Sequence, residues 1–263
     1  MVGIPKTIDN DCDCVDRSFG FTTAVQEAVR AIKSAAVEAR SAPNCIGLVK
    51  LMGRHAGFIA AHATLASGDP DLCLIPEVRM PLEGENGLLP HLQGVLQRQG
   101  HAVVVVAEGA GAGYLSPVLN ADGTPATDTG GNSILPEVGP WLKRAITGHF
   151  DHLGMEPAVS VKYIDPSYII RSVPANASDS LYCLLLAQNA VHGAMAGFTG
   201  FSVGLYNNRM VYLPMQLIVA NSPRVMNPLG RTWERVVSVT GQPSTAVSLA
   251  DLGMYNSTAK TVF

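Results

Sequence analysis

Residues 102–107 read Ala-Val-Val-Val-Val-Ala, six apolar positions with no polar alternation. A strand with one wet face alternates apolar and polar side chains. A strand with none has to be covered on both faces, as happens in a parallel sheet flanked by helices. Residues 45–52, Cys-Ile-Gly-Leu-Val-Lys-Leu-Met, carry the same signature, broken only by Lys50. Around these runs the period changes to that of a helix. Phe21, Val25, Val29, Ile32 and Ala36 recur at threes and fours within 18–40, with Ser18 as a fair N-cap. Further helices are expected over 56–66, 88–99, 133–150, 179–195 (capped by Ser178) and 229–239. Further strands are expected over 72–76, 159–163, 201–205 and 210–213, the last two flanking Asn207-Asn208, a hairpin turn. Residues 109–131 read as a long loop, 164–177 as irregular, and the stretch from 244 as a weakly patterned tail. Strands alternating with helices give an α/β fold with a largely parallel sheet.

Charge and composition then exclude several classes of function. The chain of 263 residues carries a net charge of −3, with no basic or acidic run. Non-specific nucleic-acid binding is not expected, and an anionic substrate must be met by local cations. No charged N-terminal region precedes an apolar run, and no apolar stretch is long enough for a bilayer, so a cytoplasmic protein with no membrane partner is expected. Five cysteines, an odd count, read as reduced thiols; Cys12 and Cys14 flank Asp13, but no C-x-x-C pair is present. The run Gly109-Ala-Gly-Ala-Gly113 after the apolar strand invites a dinucleotide fingerprint. Its third glycine would fall at Tyr114, and turn formers follow instead of a helix, so a nicotinamide site is rejected.

The residues that carry chemistry begin almost at once. Gly3-Ile4-Pro5-Lys6-Thr7-Ile8-Asp9-Asn10-Asp11 places a cation, a hydroxyl and two carboxylates in one polar loop. Alone it could be a solvated turn. Arg54 follows a strand and opens a helix, where an arginine fork and the helix N-terminus both favour an anion. Glu108 ends the apolar strand, on the side where α/β sheets hold ligands, although a strand-end charge can also be merely exposed.

Three stretches, Gly3–Asp11, Met52-Gly53-Arg54-His55-Ala56-Gly57-Phe58 and Lys162 to Arg171, together resemble the 6-phosphofructokinases, with wording nearest the plant-type and trypanosomatid branch. The resemblance runs from Gly3 to about Gln242. It implies two interleaved Rossmann-like lobes with the site in the cleft between them: lobe one over about 1–20 and 170–220, lobe two over about 21–169 and 221–243. The implied reaction moves a phosphoryl group to the 1-hydroxyl of fructose 6-phosphate with Mg²⁺, in glycolysis, from ATP or, as the alternative donor, pyrophosphate. Asp9 is the implied base, with Thr7 and Arg54 on the transferred group, Asp11 near the metal and Lys6 at the donor phosphates. Ile8, Met52, Gly53, Glu108, Lys162, Tyr168, Ile169, Ile170 and Arg171 are implied sugar-phosphate residues. Tyr168 stands where bacterial members carry a histidine. Lys162 stands where they use an arginine from a neighbouring subunit of a homo-oligomer, and Cys45 where they have another. A surface lysine is the plain alternative for Lys162. The family's G-G-D-G-type donor loop has no counterpart, and hardly a strand precedes the catalytic loop, so an N-terminally truncated chain is expected. A sugar-phosphate-binding fragment or regulatory subunit is the alternative to an active enzyme.

Overall fold

A computed structural model of the chain describes residues 1–129 and 131–244. The two apolar runs become the centre of a four-stranded parallel sheet. Strand β2 (Cys45–Leu51) lies beside β4 (His101–Ala107), with β3 (Leu72–Leu74) and β5 (Ser160–Ile164) outside, in the order β3-β4-β2-β5. Both faces are covered, as the missing alternation requires. Val103, Val105 and Ala107 pack into a core with helices α1 (Phe21–Arg40) and α2 (Phe58–Ser67). Ala102, Val104 and Val106 point the other way, into a core with α3 (Leu88–Gln99) and α4 (Val138–Leu153).

A second sheet has three strands. The two-residue β1 (Val2–Gly3) runs parallel to β6 (Phe201–Tyr206), and β6 pairs antiparallel with β7 (Arg209–Pro214). Asn207 and Asn208 turn the hairpin with φ of 48° and 60°, both in the left-handed region that short hairpins need. Helix α6 (Ala177–Met195) covers this sheet through Tyr182, Leu186 and Ala190, while Leu181, Leu184, Val191 and Met195 are exposed. The chain starts in the small sheet, builds the large one and returns to the small one. After α7 (Met215–Asn221) it comes back, and α8 (Arg231–Thr240) seats Trp233 and Val236 in the large core. This interleaving of two α/β lobes matches the expected fold class.

Several expected boundaries are corrected. Ser18 does not cap α1: its buried hydroxyl takes no hydrogen bond, and the helix starts after Gly20, whose φ is 85°. Ser178 lies inside α6, and Asn176 caps it by accepting from the Asp179 N–H. Residues 133–137 are not helical, because the segment pairs back on the loop through Thr127–Ser133 and the Ile134–Ala126 hydrogen bond. Glu108–Gly113 forms a 3-10 helix, and Ser167–Arg171 the short helix α5, where loop and irregular chain were expected. The tail beyond Ser244 lies outside the described residues.

Candidate active site

Three segments leave neighbouring strands of the large sheet at the same edge. Arg54 follows β2, Glu108 follows β4, and α5 follows β5. This is the carboxyl edge, where parallel α/β sheets place ligands. The loop after β1 brings Thr7, Asp9 and Asp11 to it from the other sheet.

Two glycines let these pieces approach. Gly53 has a φ of 132°, and a Cβ there would sit 2.5 Å from the Ala56 carbonyl oxygen. Gly109 donates its N–H to the Gly53 carbonyl at 3.0 Å, and its own Cβ would fall 2.1 Å from the Arg54 carbonyl oxygen. The Arg54 turn and the Glu108 segment are thus in direct backbone contact, which only glycine permits.

Asp9 is largely buried. Its Oδ1 is buried and accepts no hydrogen bond from the protein. Burial first, then the charges of Asp11 and Glu108, push its carboxyl up to about 6, against the opposing pull of Arg54. A carboxylate in this state is a proton acceptor tuned toward neutral pH. Thr7 organises the loop: its hydroxyl donates to Asp11 Oδ1 at 2.8 Å and accepts from the Asp9 N–H at 3.1 Å. Ile8 packs under the loop against the main core. Asn10 takes the left-handed φ of 61°. Lys6 is exposed.

Arg54, Glu108 and Lys50 line a cavity of about 220 Å³ with Asp128 and Glu137. Arg54 there donates to the Ser133 carbonyl and lies 3.9 Å from Asp128. The long loop therefore closes one side of the cavity. Lys50, the lone charge in an apolar strand, went unassigned in the sequence. Its ammonium meets Asp165 at 2.7 Å, and Asp165 in turn accepts from Ser167 at the start of α5. On α5, the Arg171 guanidinium lies over the exposed Tyr168 ring at 4.8 Å, Ile169 is exposed, and Ile170 anchors the helix in the core. Met52 packs at the rim of that core.

Two positions singled out in the sequence lie apart from this cluster. Lys162 points to α1, where Glu38 sits at 3.8 Å, and is half exposed. Cys45 is fully buried at the amino end of β2, the opposite end from the site. The sequence reading also missed Glu77 and Arg224. Glu77 accepts from the N–H groups of Gly57 and Met226. Arg224 reaches the carbonyls of Asn10 and Val15. The only local signal for either is a lone charge beside a proline.

Residues 1–194 match the family model described as Phosphofructokinase. The chain belongs to the phosphofructokinase family. Among phosphofructokinases it is 52% identical over 244 residues to ATP-dependent 6-phosphofructokinase 1 of Arabidopsis thaliana, covering 93% of this chain and 50% of that protein. It is 48% identical over 249 residues to the ATP-dependent 6-phosphofructokinase of Borreliella burgdorferi, covering 92% and 54%. The chain thus spans about half the length of the curated relatives it matches. The crystal structure of a pyrophosphate-dependent phosphofructokinase from Marinobacter aquaeolei superposes with a TM-score of 0.67 at 20% identity, over 94% of this chain and 60% of that one. At that identity the likeness speaks for the phosphofructokinase fold alone.

As to the expected Mg²⁺, no three His, Cys, Asp or Glu side chains form a metal-holding group among the described residues. Asp11 offers one carboxylate. Magnesium commonly takes one or two carboxylates and completes its shell with substrate phosphates and water, so Asp11 fits as one ligand of such an ion.

Proposed function

We propose that this chain carries the sugar-phosphate and base side of a 6-phosphofructokinase, transferring a phosphoryl group from ATP to the 1-hydroxyl of fructose 6-phosphate. One observation carries the reading: Asp9, a desolvated carboxylate with a buried, unpartnered oxygen, faces Arg54 and Glu108 across the carboxyl edge of the large sheet. Phosphoryl transfer needs positioning and positive charge on the migrating group more than a strong base. Asp9 would accept the proton of the 1-hydroxyl as the sugar oxygen bonds to the γ-phosphorus of ATP and the bond from that phosphorus to the departing ADP breaks. Arg54 would leave Asp128 and Ser133 to hold the transferred group, with Thr7 beside it. Glu108 would accept hydrogen bonds from sugar hydroxyls. Arg171 and Tyr168 would hold the 6-phosphate, with Met52, Gly53, Ile8, Ile169 and Ile170 shaping the floor. Lys6 would add a charge at the donor phosphates. Mg²⁺, held by Asp11 and donor oxygens, would supply positive charge there.

The same proposal divides the lobes at about 20, 170 and 220, in keeping with the two sheets. It also assigns a cytoplasmic homo-oligomer, supported by five free thiols and the exposed apolar side of α6. In that assembly the outward-facing Lys162 would serve a neighbouring copy. ATP as donor is supported by the names of the relatives. A sugar-phosphate-binding piece without turnover is the second reading, in keeping with a chain that spans about half the length of its curated relatives. The test is formation of fructose 1,6-bisphosphate by the purified chain with Mg²⁺ and either ATP or pyrophosphate. Product with ATP supports the proposal. Binding of fructose 6-phosphate without product from either donor supports the second reading.

A further inference from the structure

Residues 222–226, between α7 and α8, form a strap that touches both halves of the site. On one side it holds the loop that carries Asp9. The Asp13 N–H donates to Ser222 Oγ at 3.0 Å, and the Arg224 N–H donates to the Asp11 carbonyl at 2.7 Å. The Arg224 side chain then crosses the loop. Its Nε donates to the Asn10 carbonyl at 2.9 Å, Nη1 to the Val15 carbonyl at 2.9 Å, and Nη2 to the Asp16 carbonyl at 3.4 Å. On the other side the strap holds the start of α2, just after Arg54. The Arg224 guanidinium lies 5.2 Å over the Phe58 ring, and the Met226 N–H donates to Glu77 Oε1 at 2.8 Å. That same carboxylate accepts from the Gly57 N–H at 3.0 Å, at the N-terminus of α2.

A guanidinium is suited to this task. Its planar fork keeps a fixed geometry while several donors are satisfied at once, and its face can stack on an aromatic ring. The acceptors here are backbone carbonyls, so the bonds set the path of the chain. The loop turns through left-handed residues at Asn10 and Cys14, with φ of 61° at each. Neither is glycine, so the conformation has to be held by its surroundings.

We propose that Arg224 is a positioning residue that fixes the Asp9–Asp16 loop against the Arg54 turn, setting the distance between base and phosphoryl-binding cation without touching substrate. The proposal rests on the phosphoryl-transfer reading above for its kinetic consequence, but not for its structural one. The test compares the unaltered chain with Arg224→Met and Arg224→Lys in two measurements. The first is amide hydrogen exchange of peptides covering 9–16, with β4 as internal reference. Arg224→Met is expected to speed exchange in 9–16 by about tenfold or more while β4 is unchanged, since local openings are independent of global unfolding. Arg224→Lys keeps the charge but not the fork, and should fall between. The second is turnover and fructose 6-phosphate affinity. A misplaced base should lower kcat by about 10²-fold while sugar binding changes little.

Unchanged exchange in 9–16 overturns the proposal, as does full restoration of slow exchange by lysine, which would reduce Arg224 to a charge. If Arg224→Met does not fold, the lysine variant decides by the same two criteria. If the unaltered chain makes no product from either donor, the catalytic reading fails while the exchange data still decide whether Arg224 holds the loop. If product forms and kcat is unchanged in both variants, the positioning role fails while the catalytic reading stands.

Discussion

Asp9 concentrates the tension between stability and chemistry. Its carboxyl is raised from 3.8 to about 6, chiefly by burial. A raised carboxyl favours the folded state while protonated and weakens it once ionised. Asp9→Asn removes the ionisation. Its stability should equal that of the parent below pH about 4, rise above it between about 4 and 6, and keep a gain of up to about 3 kcal/mol at higher pH. Urea melts of both proteins at pH 4 and pH 8 measure this; equal midpoints at pH 8 would mean the ionised side chain is not desolvated. The same substitution should cut turnover by about 10²–10⁴-fold with little change in fructose 6-phosphate binding. If Asp9 is the base as proposed, kcat/KM in the parent should fall as pH drops through about 6, because a protonated carboxyl cannot accept the hydroxyl proton.

At the scale of elements, what matters is how strand ends are tied together. Gly109 lets the 3-10 helix after β4 lie on the Arg54 turn, with no room for a Cβ. Gly109→Ala should therefore force Arg54 and Glu108 apart, costing about 1–3 kcal/mol of stability and weakening sugar-phosphate binding. A denaturant midpoint and a calorimetric titration together test it. Lys50 does for α5 what glycine does for the turn. It fixes Asp165, which holds the first residue of the helix that carries Arg171. Lys50→Met should loosen α5 and weaken fructose 6-phosphate binding by about tenfold, the scale of one charged hydrogen bond. An unchanged dissociation constant would limit Lys50 to strand packing.

At the scale of the molecule, the segment at the end of α8 closes one side of the large sheet. Among the described residues strand β3 is an edge, and unpaired edge groups either stay wet or need partners. Gln242, just after α8, supplies them. Its Oε1 accepts from the Cys73 N–H at 2.8 Å, and its Nε2 donates to the Cys73 carbonyl at 3.2 Å, so the side-chain amide stands in for a further strand. Both groups are buried. Gln242→Ala should leave them unpaired and destabilise the fold by about 2–4 kcal/mol, whereas Gln242→Glu, which sets a buried carboxylate oxygen against the Cys73 carbonyl, should destabilise it increasingly as pH rises and the side chain ionises. Thermal unfolding of the two variants separates these outcomes.

Much of this was legible in the chain itself. The apolar runs at 45–52, broken only by Lys50, and at 102–107 required a doubly covered parallel sheet, because a wet face would need polar residues at every second position. The positions of Arg54 and Glu108 followed from where those runs stop, and Asn207-Asn208 named its own turn. Local sequence also put Thr7, Asp9 and Asp11 together in one polar loop. The tertiary structure alone decided the rest. Short helices such as α5 are too brief for a periodic signal, and 133–137 left the helix because the preceding loop offered it a pairing partner. Arg224 meets Asn10 across 214 positions of sequence, and Gln242 meets Cys73 across 169. Contacts at such separation leave no pattern along the chain, since what selects the residue is the backbone that folding brings to it.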